Sequence, residues 1–516
     1  MRHLLPLFLV LSCLLTFLPG CEPKEDLVQT SGRLEFAADT VLFDTVFTTI
    51  QTVTKRLWVY NRNSGAVKTD VRLAGTAGAT YSLIINGDAG PAASGVTIRG
   101  NDSVLVLVRA VLGDNGQPTV PKNFIVDDEL RFLTNGNDQR VKLVAYGQNA
   151  YFHRGDRITA NTTWRTDRPH VIFNAPAART GGAINVGVYV LPGITLTVPK
   201  GARIYAHAGA IILVDGSLRV NDDFRPPSGT TNDTVKAGNA NIVRFQGDRL
   251  EPGYANIPGQ WGGIFFTGSS RNNSIRYAEI RNATFGALLF NPEATTPRPS
   301  LALSNTVIRN ISGANVSFAN ASASNGGGII SYSGDVTATN CLFTNCGEYA
   351  LIGIGGNYTL DFCTIANYTP AFRRETSSLT FTNVDDARPA TKLPTSVSIT
   401  NSIVWGSFED ELFVQNFADY SPTIRNSLLR TKEYATNTTV VGGANVNLVN
   451  VDPLFKRTSL TSNIPDYTLQ DASPATTPRR TPFVSVGTVL PPRDLLNLPR
   501  PTPPNTQPSL GAYEHK

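Results

Sequence analysis

Short apolar runs separated by turn-forming residues recur along most of this chain. Between Gln260 and Phe290, for example, the runs GIFF, SIRYAEI and GALLF are separated by glycine, serine and asparagine, with no helical periodicity between them. Apolar runs of about four to eight residues bounded by such breaks predict β-strands. The pattern therefore predicts an all-β fold.

The first region, residues 27–151, is predicted to be a β-sandwich of immunoglobulin-like architecture. Its apolar segments include KRLWVYNR, SVLVLVRAVL and VKLVAYG, and turn segments such as NRNSG and GDNGQP separate them. Strands at this spacing are typical of sandwiches. The cysteine and tryptophan pattern of true immunoglobulin domains is missing, so the likeness concerns architecture only. We recognise no functional site in this region.

The rhythm changes after the sandwich, where units flanked by asparagine recur. The segments SNTVIRN, TNCLFTN and DFCTIAN place Asn310, Asn345 and Asn367 in register, and Cys341 and Cys363 occupy the same position within their own segments. These separations give a period of roughly 22 residues, lengthened in places by an insertion, which indicates a coil of three short strands per turn. The sequence therefore predicts a parallel β-helix, in which equivalent strands stack about 4.8 Å apart.

The repeat also predicts which side chains stack on one another. Ile308, Phe343 and Ile365 are expected to form an inward apolar column, and the three asparagines are expected at bends, because asparagine tolerates left-handed backbone angles. Cys341 and Cys363 are expected to be stacked neighbours without a disulfide, because side chains in register point the same way and suit disulfide torsions poorly.

Longer phrases carry a resemblance to a known family. YVLPGITLTVPKGARIYAHAGAIILVDGSL and GQWGGIFFTGSSRNNSIRYAEIRNA, with DPLF, DYTLQ and LGAYE near the C-terminus, resemble bacterial right-handed parallel β-helix proteins of the pectin-lyase-like superfamily. The resemblance implies a right-handed β-helix over residues 180–475. The proline-rich residues 476–516 depart from the pattern and predict an extended C-terminal strap and cap lying across the solenoid.

The N-terminus reads MRHLLPLFLVLSCLLTFLPGCEPKED. Its apolar run is short for a membrane-spanning helix and suits an export signal. Leu18-Pro19-Gly20-Cys21 resembles the lipobox of bacterial, Bacteroidetes-type surface lipoproteins. The resemblance implies that residues 1–20 are a signal peptide and that Cys21 carries diacylglycerol and palmitate. Because no aspartate follows Cys21, it further implies attachment to the outer membrane with exposure at the cell surface. A plain secretory signal is the alternative.

Charge and histidine content exclude several classes of partner. The chain has 45 Lys and Arg against 40 Asp and Glu, scattered without a basic stripe, so we expect no nucleic-acid partner. Its five histidines lie far in sequence from Cys341, Cys346 and Cys363, so we expect no zinc site and no cofactor. Arg276, Glu279 and Arg281 are expected to lie on an exposed sheet face and to serve solubility. We expect a monomer.

Two function classes remain open because a β-helix alone does not define an activity. The preferred one is a surface scaffold that binds glycan or another extended polymer. The alternative is a lyase or hydrolase of acidic polysaccharide, and only this alternative leaves room for calcium as a cofactor. Asp385-Asp386 is expected to form a turn rather than an acid pair. We assign no catalytic residue. Acidic and basic side chains on neighbouring coils, and one tryptophan able to stack on sugar, give the following candidate surface contacts: Glu348, Asp361, Arg373, Arg374 and Trp405.

Overall fold

The computed structural model describes residues 28–75, 80–114, 124–177, 184–316, 324–369, 374–385, 388–443, 445–459, 465–476, 490–501 and 507–515. The chain divides into two compact units, Met1–Asn149 and Ala150–Lys516. In the described residues of both, nearly all regular secondary structure is β-strand, as the sequence predicts. Across the ranges given above, no helix is long and apolar enough to cross a membrane.

The first unit consists of two five-stranded sheets. Its strands are β1 (Glu35–Phe36), β2 (Thr40–Phe47), β3 (Lys55–Asn61), β4 (Val67–Leu73), β5 (Tyr81–Ile85), β6 (Asp88–Ala89), β7 (Ala92–Ile98), β8 (Asp102–Ala110), β9 (Phe124–Thr134) and β10 (Asn137–Gln148). One sheet has the order β1-β3-β8-β5-β6 and the other β2-β10-β9-β4-β7. All pairs are antiparallel except β2 with β10.

Alternation along these strands produces a single core between the two sheets. In β8, for example, Val104, Val106 and Val108 are buried while the residues between them are not. Side chains from both sheets, such as Leu57 of β3 and Phe132 of β9, belong to the same apolar cluster. The expected β-sandwich architecture is therefore present.

The second unit is a solenoid with two short additional hairpins and a C-terminal one. Its strands are β11 (Tyr151–Arg154), β12 (Asp156–Ile158), β13 (Thr162–Thr163), β14 (His170–Phe173), β15 (Val188–Val190), β16 (Thr195–Val198), β17 (Arg203–Ala206), β18 (Ile211–Val214), β19 (Ser217–Val220), β20 (Val243–Gly247), β21 (Gly263–Thr267), β22 (Asn273–Arg276), β23 (Ala278–Arg281), β24 (Ala287–Phe290), β25 (Ser300–Ser304), β26 (Val307–Ile311), β27 (Asn315–Val316), β28 (Ser324–Asn325), β29 (Gly327–Thr339), β30 (Leu342–Cys346), β31 (Tyr349–Asp361), β32 (Thr364–Asn367), β33 (Leu379–Thr382), β34 (Val384–Asp385), β35 (Arg388–Lys392), β36 (Thr395–Thr400), β37 (Ile403–Gly406), β38 (Leu412–Val414), β39 (Thr423–Arg425), β40 (Leu428–Leu429), β41 (Leu448–Val449), β42 (Phe455–Arg457) and β43 (Asp466–Leu469). A short helix, α1, covers Thr438–Val441, and 3-10 turns cover Pro252–Tyr254 and Phe417–Asp419.

Each coil of the solenoid adds one parallel strand to each of three faces. Face 1 is the eleven-stranded sheet β11-β14-β17-β20-β23-β26-β30-β32-β37-β40-β41. Face 2 contains β12, β15, β18, β21, β24, β33 and β38, and face 3 contains β13, β16, β19, β22, β25, β36 and β39. The long strands β29 and β31 run through both of these faces, pairing with β24 and β33 at one end and with β25 and β36 at the other. The predicted parallel β-helix is confirmed.

The predicted inward column is confirmed by the strand register. Ile308 pairs with Phe343, and Phe343 pairs with Ile365. The same column continues to Ile280 on one side and to Val404 on the other. Cys341 and Cys363 are buried with free thiols and interact with one another, as the register predicts.

The asparagine prediction is correct for two of its three residues. Asn310 and Asn345 have φ of 54° and 50°, and the Asn345 Nδ2 donates to Asn310 Oδ1 at 2.8 Å. Asn282, with φ of 60°, extends this ladder by one coil. Asn367 does not belong to it, because its side chain bonds the backbone N–H and carbonyl of Cys346 instead. The asparagine ladder therefore ends at Asn345, because the side chain of Asn367 bonds backbone groups rather than the amide of Asn345.

The C-terminal residues cover the outer side of face 1 over its later coils. Leu495, Leu510 and Tyr513 belong to one buried apolar cluster with Leu342 and Trp405 of face 1. Outward residues of this face are therefore apolar along the covered part, although outward positions of a solenoid usually meet water.

Three stacked rings close the first coil. The Trp164 ring lies 4.9 Å from His153 and 4.2 Å from His170. His153 Nε2 is 2.8 Å from His170 Nδ1, and the other ring nitrogen of His170 bonds the Arg165 carbonyl at 2.8 Å. His170 also continues the inner column, because it pairs with Ile204. It fills core space, because it is 2% exposed.

Acid is expected to destabilise the solenoid through His170. Burial lowers the pKa of this ring to about 4, whereas unfolding returns the pKa to about 6.5. The unfolded chain therefore binds a proton first, and about 3 kcal/mol of stability present above pH 6.5 is lost as the pH falls to 4. Urea unfolding at several pH values measures this slope. His170→Phe should flatten the slope. His207→Gln should not, because Asp248 raises the pKa of that exposed ring and its contribution therefore has the opposite sign. Equal slopes in all three proteins would contradict the assignment.

Candidate functional site

A groove of about 720 Å³ opens on the outer side of face 1 near the end of the solenoid. Trp405 forms part of its floor because strand alternation turns Val404 inward and Trp405 outward in β37. The groove has the size of a small-ligand site. Its described lining residues are Tyr368, Trp405, Glu409, Arg430, Lys432, Asn450, Asp452, Leu454, Phe455, Thr458 and Gln470.

The floor of the groove is aromatic and buried. Trp405 is only 8% exposed, and the Arg430 guanidinium lies 5.1 Å from its ring centroid. Arg430 is fixed there because its Nη1 donates to the Gly406 carbonyl. Phe455 is also buried in this floor and contacts Tyr467 edge-on at 5.4 Å.

The far wall is the hairpin formed by β42 and β43. Gln470 follows β43 and donates from Nε2 to the Phe455 carbonyl at 2.8 Å, which holds the two ends of the hairpin together. On the opposite side, Asn450 bonds both the N–H and the carbonyl of Thr431. The groove is therefore preformed by backbone-anchored side chains.

Its charged groups are balanced. Glu409 and Lys432 form an exposed pair at 3.1 Å, and Arg430 and Asp452 add one further charge of each sign. Burial, with a smaller contribution from Asp452, raises the pKa of the Tyr368 hydroxyl. Tyr368 therefore stays protonated and can act as a hydrogen-bond donor.

Among the candidates from sequence, only Trp405 lines this groove. Glu348 immediately precedes β31 and accepts from Thr376 Oγ1 at 3.1 Å, whereas Asp361 is the last residue of the same thirteen-residue strand. Asp361 accepts from Thr400 at 2.7 Å and from Asn401 at 2.8 Å. Burial raises its pKa. The two carboxylates lie at opposite ends of β31 and do not converge.

Arg374 is not a surface contact, which corrects the expectation from sequence. Its side chain is 1% exposed, and Nη2 lies 2.6 Å from Oε1 of Glu411, which is fully buried. Ser378 donates to the other oxygen of Glu411 at 2.5 Å. Sequence reasoning missed Glu411 because the two partners are 37 residues apart. Arg373 lies outside the described residues.

The acidic pair considered from sequence offers no site. Asp385 is buried and ends β34, directly before the connection to the antiparallel strand β35, and Asp386 lies outside the described residues. Within the described parts of the chain, no group of three or more His, Cys, Asp and Glu side chains is arranged to hold a metal ion.

Glu279 also departs from expectation, because its carboxylate is fully buried rather than solvated. Its oxygens contact Arg244 and lie 2.6 Å from Arg309 Nε and 4.0 Å from Arg281 Nη1. Arg309 Nη1 additionally donates to Asn256 Oδ1 at 3.1 Å, which ties the loop before β21 to face 1. Local strand patterning gave no sign of this covering loop.

The other polar residues of the groove were also missed. Glu409, Arg430, Lys432 and Asp452 come from separate coils and from the segment before the C-terminal hairpin. Arg430 could have been found, because β37 and β40 pair in register and Arg430 therefore occupies the position equivalent to Trp405 in the next coil. No local motif marks the others.

These features define an all-β protein whose parallel β-helix carries a ligand-sized groove on one outer face. No family model and no curated protein matches the sequence. Among solved structures, it is similar to a family 123 glycoside hydrolase from Clostridium perfringens, with 8% identity and a TM-score of 0.17, covering 24% of this chain and 31% of that one. The catalytic unit of a thermostable GH87 α-1,3-glucanase from Streptomyces thermodiastaticus strain HF3-3 is similar at 12% identity and a TM-score of 0.19, covering 72% and 78%. Scores this low carry no argument about activity.

Proposed function

We propose that this protein is a monomeric outer-membrane lipoprotein that binds carbohydrate at the cell surface. Cys21 carries its lipid anchor, and the β-helix presents the groove around Trp405. The observation that carries the binding proposal is the groove itself, where an aromatic floor lies beside several hydrogen-bonding side chains fixed in place. This combination suits a sugar, which has apolar C–H faces and hydroxyl groups at its edges.

The charge balance of the groove favours an uncharged sugar. Arg430 and Lys432 are offset by Glu409 and Asp452, so no excess positive charge is available for the carboxylates of an acidic polymer. Carboxylate oxygens accept hydrogen bonds, and arginine and lysine donate them. The four side chains can therefore bind sugar hydroxyl groups both as donors and as acceptors. The proposed ligand is therefore a neutral glycan.

The enzyme alternative is tested in the same material. Asp361, a carboxylate among the candidate surface contacts, is held by two side chains at the corner of the solenoid and does not line the groove. Incubation with homogalacturonan and alginate, with calcium, should give no unsaturated product and no new reducing ends. Turnover of either polymer would favour the lyase or hydrolase.

Removing the exposed pair in the groove is expected to weaken glycan binding at least tenfold. Full-length protein in detergent micelles is titrated with laminarin, dextran, mannan and xylan, and binding is followed by tryptophan emission. Glu409→Ala combined with Lys432→Ala removes two hydrogen-bonding groups without changing net charge. The matched control, Glu35→Ala with Arg62→Ala, removes an exposed pair at 3.2 Å in the first unit and should bind as wild type.

Two further observations decide the assignment. Trp405→Phe should bind but lose most of the emission change, because the remaining tryptophans do not line the groove. Binding to the neutral polymer should persist in about 0.5 M salt, where exposed charge pairs are screened. Binding restricted to acidic polymers and abolished by salt would contradict the neutral-glycan assignment.

A further inference from the structure

A second groove, of about 550 Å³, lies where face 3 turns into face 1 at the third coil. It adjoins β16 and β19 rather than the end of the solenoid. Its described lining residues are Thr197, Pro199, Lys200, Asn221, Asp222, Asp223, Phe224, Arg225, Pro227 and Asn241.

An aromatic ring is held in this groove by the turn after β19. Asn221 takes a left-handed φ of 58°, and its carbonyl accepts from the N–H of Phe224 at 3.3 Å. The half-buried Phe224 ring meets Tyr277 edge-on at 5.2 Å, and Lys200 Nζ lies 5.4 Å from its centroid. Tyr277 stands at the corner between β22 and β23.

Asn221 contributes a buried acceptor that lacks a partner. Its side chain is 1% exposed, and Nδ2 donates to the carbonyls of Asn241 at 2.9 Å and Tyr277 at 3.2 Å. Oδ1 accepts no hydrogen bond from any described residue. The corresponding corner of the next coil is Tyr277, so no asparagine amide is available there to donate. Because Oδ1 is itself fully buried, this corner beside the groove carries the cost of an unsatisfied acceptor.

The charged groups of the second groove are balanced as in the first. Arg219 holds Asp222 at 2.9 Å, and Ser274 donates to its other oxygen. Arg225 Nη1 donates to the carbonyls of Asp222 and Phe224, both at 2.8 Å. With Asp223 and Lys200, the lining contains two residues of each sign. The second groove therefore repeats the chemistry of the first, which is an aromatic ring beside hydrogen-bonding side chains whose charges balance.

The C-terminal residues connect the two grooves. Asn497 Nδ2 donates to the carbonyls of Pro227 at 3.0 Å and Thr230 at 2.6 Å, beside the second groove. Leu495, two residues earlier, packs in the apolar cluster that contains Trp405 of the first groove. Along face 1, the coils of the two grooves are separated by the six steps from β17 to β37. At the spacing of stacked strands, this is roughly 29 Å.

We propose that the groove at Phe224 is a second neutral-sugar site, so that one extended glycan is bound at two points of the solenoid. This inference rests on the proposed function and specifies its ligand as a polymer. A chain that spans both grooves binds the second one intramolecularly, which raises its affinity well above that of a short oligosaccharide.

Stoichiometry tests the second site separately from the first. Full-length protein in micelles is dialysed against laminaritriose, isomaltotriose, mannotriose and xylotriose, the short forms of linkages in the polymer panel. Wild type should bind two molecules of one of them per chain. Phe224→Ala with Asp223→Ala and Glu409→Ala with Lys432→Ala should each bind one, and the combined variant should bind none. Tyr254→Ala, which removes an exposed ring outside both grooves, should bind two.

Polymer affinity provides the second readout. Either groove variant should weaken binding of the long polymer tenfold or more, to the level of the trisaccharide. The second site would be overturned, and the proposed function left intact, by the following result. Wild type binds one trisaccharide, the variant at Glu409 and Lys432 binds none, and the variant at Asp223 and Phe224 still binds one. A stoichiometry of one lost only at Phe224 would instead overturn the groove at Trp405. Thermal unfolding of each variant verifies that the fold is retained.

Discussion

Replacing Glu279 with glutamine is expected to lower the free energy of unfolding by about 3–5 kcal/mol, as for other buried charge pairs that lose one partner. Burial alone would raise the pKa of Glu279, but Arg309, Arg244 and Arg281 together hold it below its ordinary value. Glutamine keeps the size of the side chain and removes its charge. Three largely buried guanidinium groups would then lack the negative charge that compensates them.

Urea unfolding at pH 7 measures this loss. Glu409→Gln is the matched control, since that carboxylate is exposed and its partner Lys432 is exposed too, and its unfolding midpoint should hardly change. Because the folded pKa of Glu279 is lowered, its contribution is present above the unfolded value of about 4.3 and is lost as the pH falls through the folded value. A midpoint for Glu279→Gln equal to that of the control would show that the carboxylate does not stabilise the arginines.

Replacing Cys21 with serine is expected to abolish lipidation completely. The thiol is the acceptor of the diacylglyceryl group in the lipobox reaction, and a serine hydroxyl does not replace it. Cells grown with an alkyne analogue of palmitate should label the wild-type protein and not Cys21→Ser, and the variant should leave the membrane fraction. Cys13→Ser is the matched control, because Cys13 lies inside the predicted signal peptide and should leave labelling unchanged. Continued labelling of Cys21→Ser would refute the anchor.

The interior of the solenoid could be predicted from sequence because it is encoded locally. The column of Ile308, Phe343 and Ile365 follows from a period of about one coil and from strand alternation, and both are visible in a single chain. The asparagine bends follow from the same period. Asn367 escaped the prediction because its partner is a backbone group, which leaves no mark in the pattern of side chains.

The outer surface could not be predicted because it depends on distant residues. Strand alternation predicts a solvated Glu279, but the loop containing Asn256 lies over this part of face 1. The sequence predicts an exposed Arg374, but the side chain is buried because it pairs with Glu411 of the next coil. Trp405 was found as an aromatic residue, but the groove around it needs the hairpin of β42 and β43. Outward positions of a repeat are specified by what packs on them, and that information lies tens of residues away.

The C-terminal segment also changes when the solenoid can become complete. Coils of a repeat protein can assemble one after another as the chain emerges. Here Asn305 and Asn340, in the middle coils, donate to the carbonyls of Asp494 and Arg493, and Thr364 accepts from the N–H of Ala512. The middle coils are therefore fully bonded only once residues 493–512 are in place. A chain cut before residue 490 would leave apolar outer residues of face 1, such as Leu342 and Trp405, uncovered.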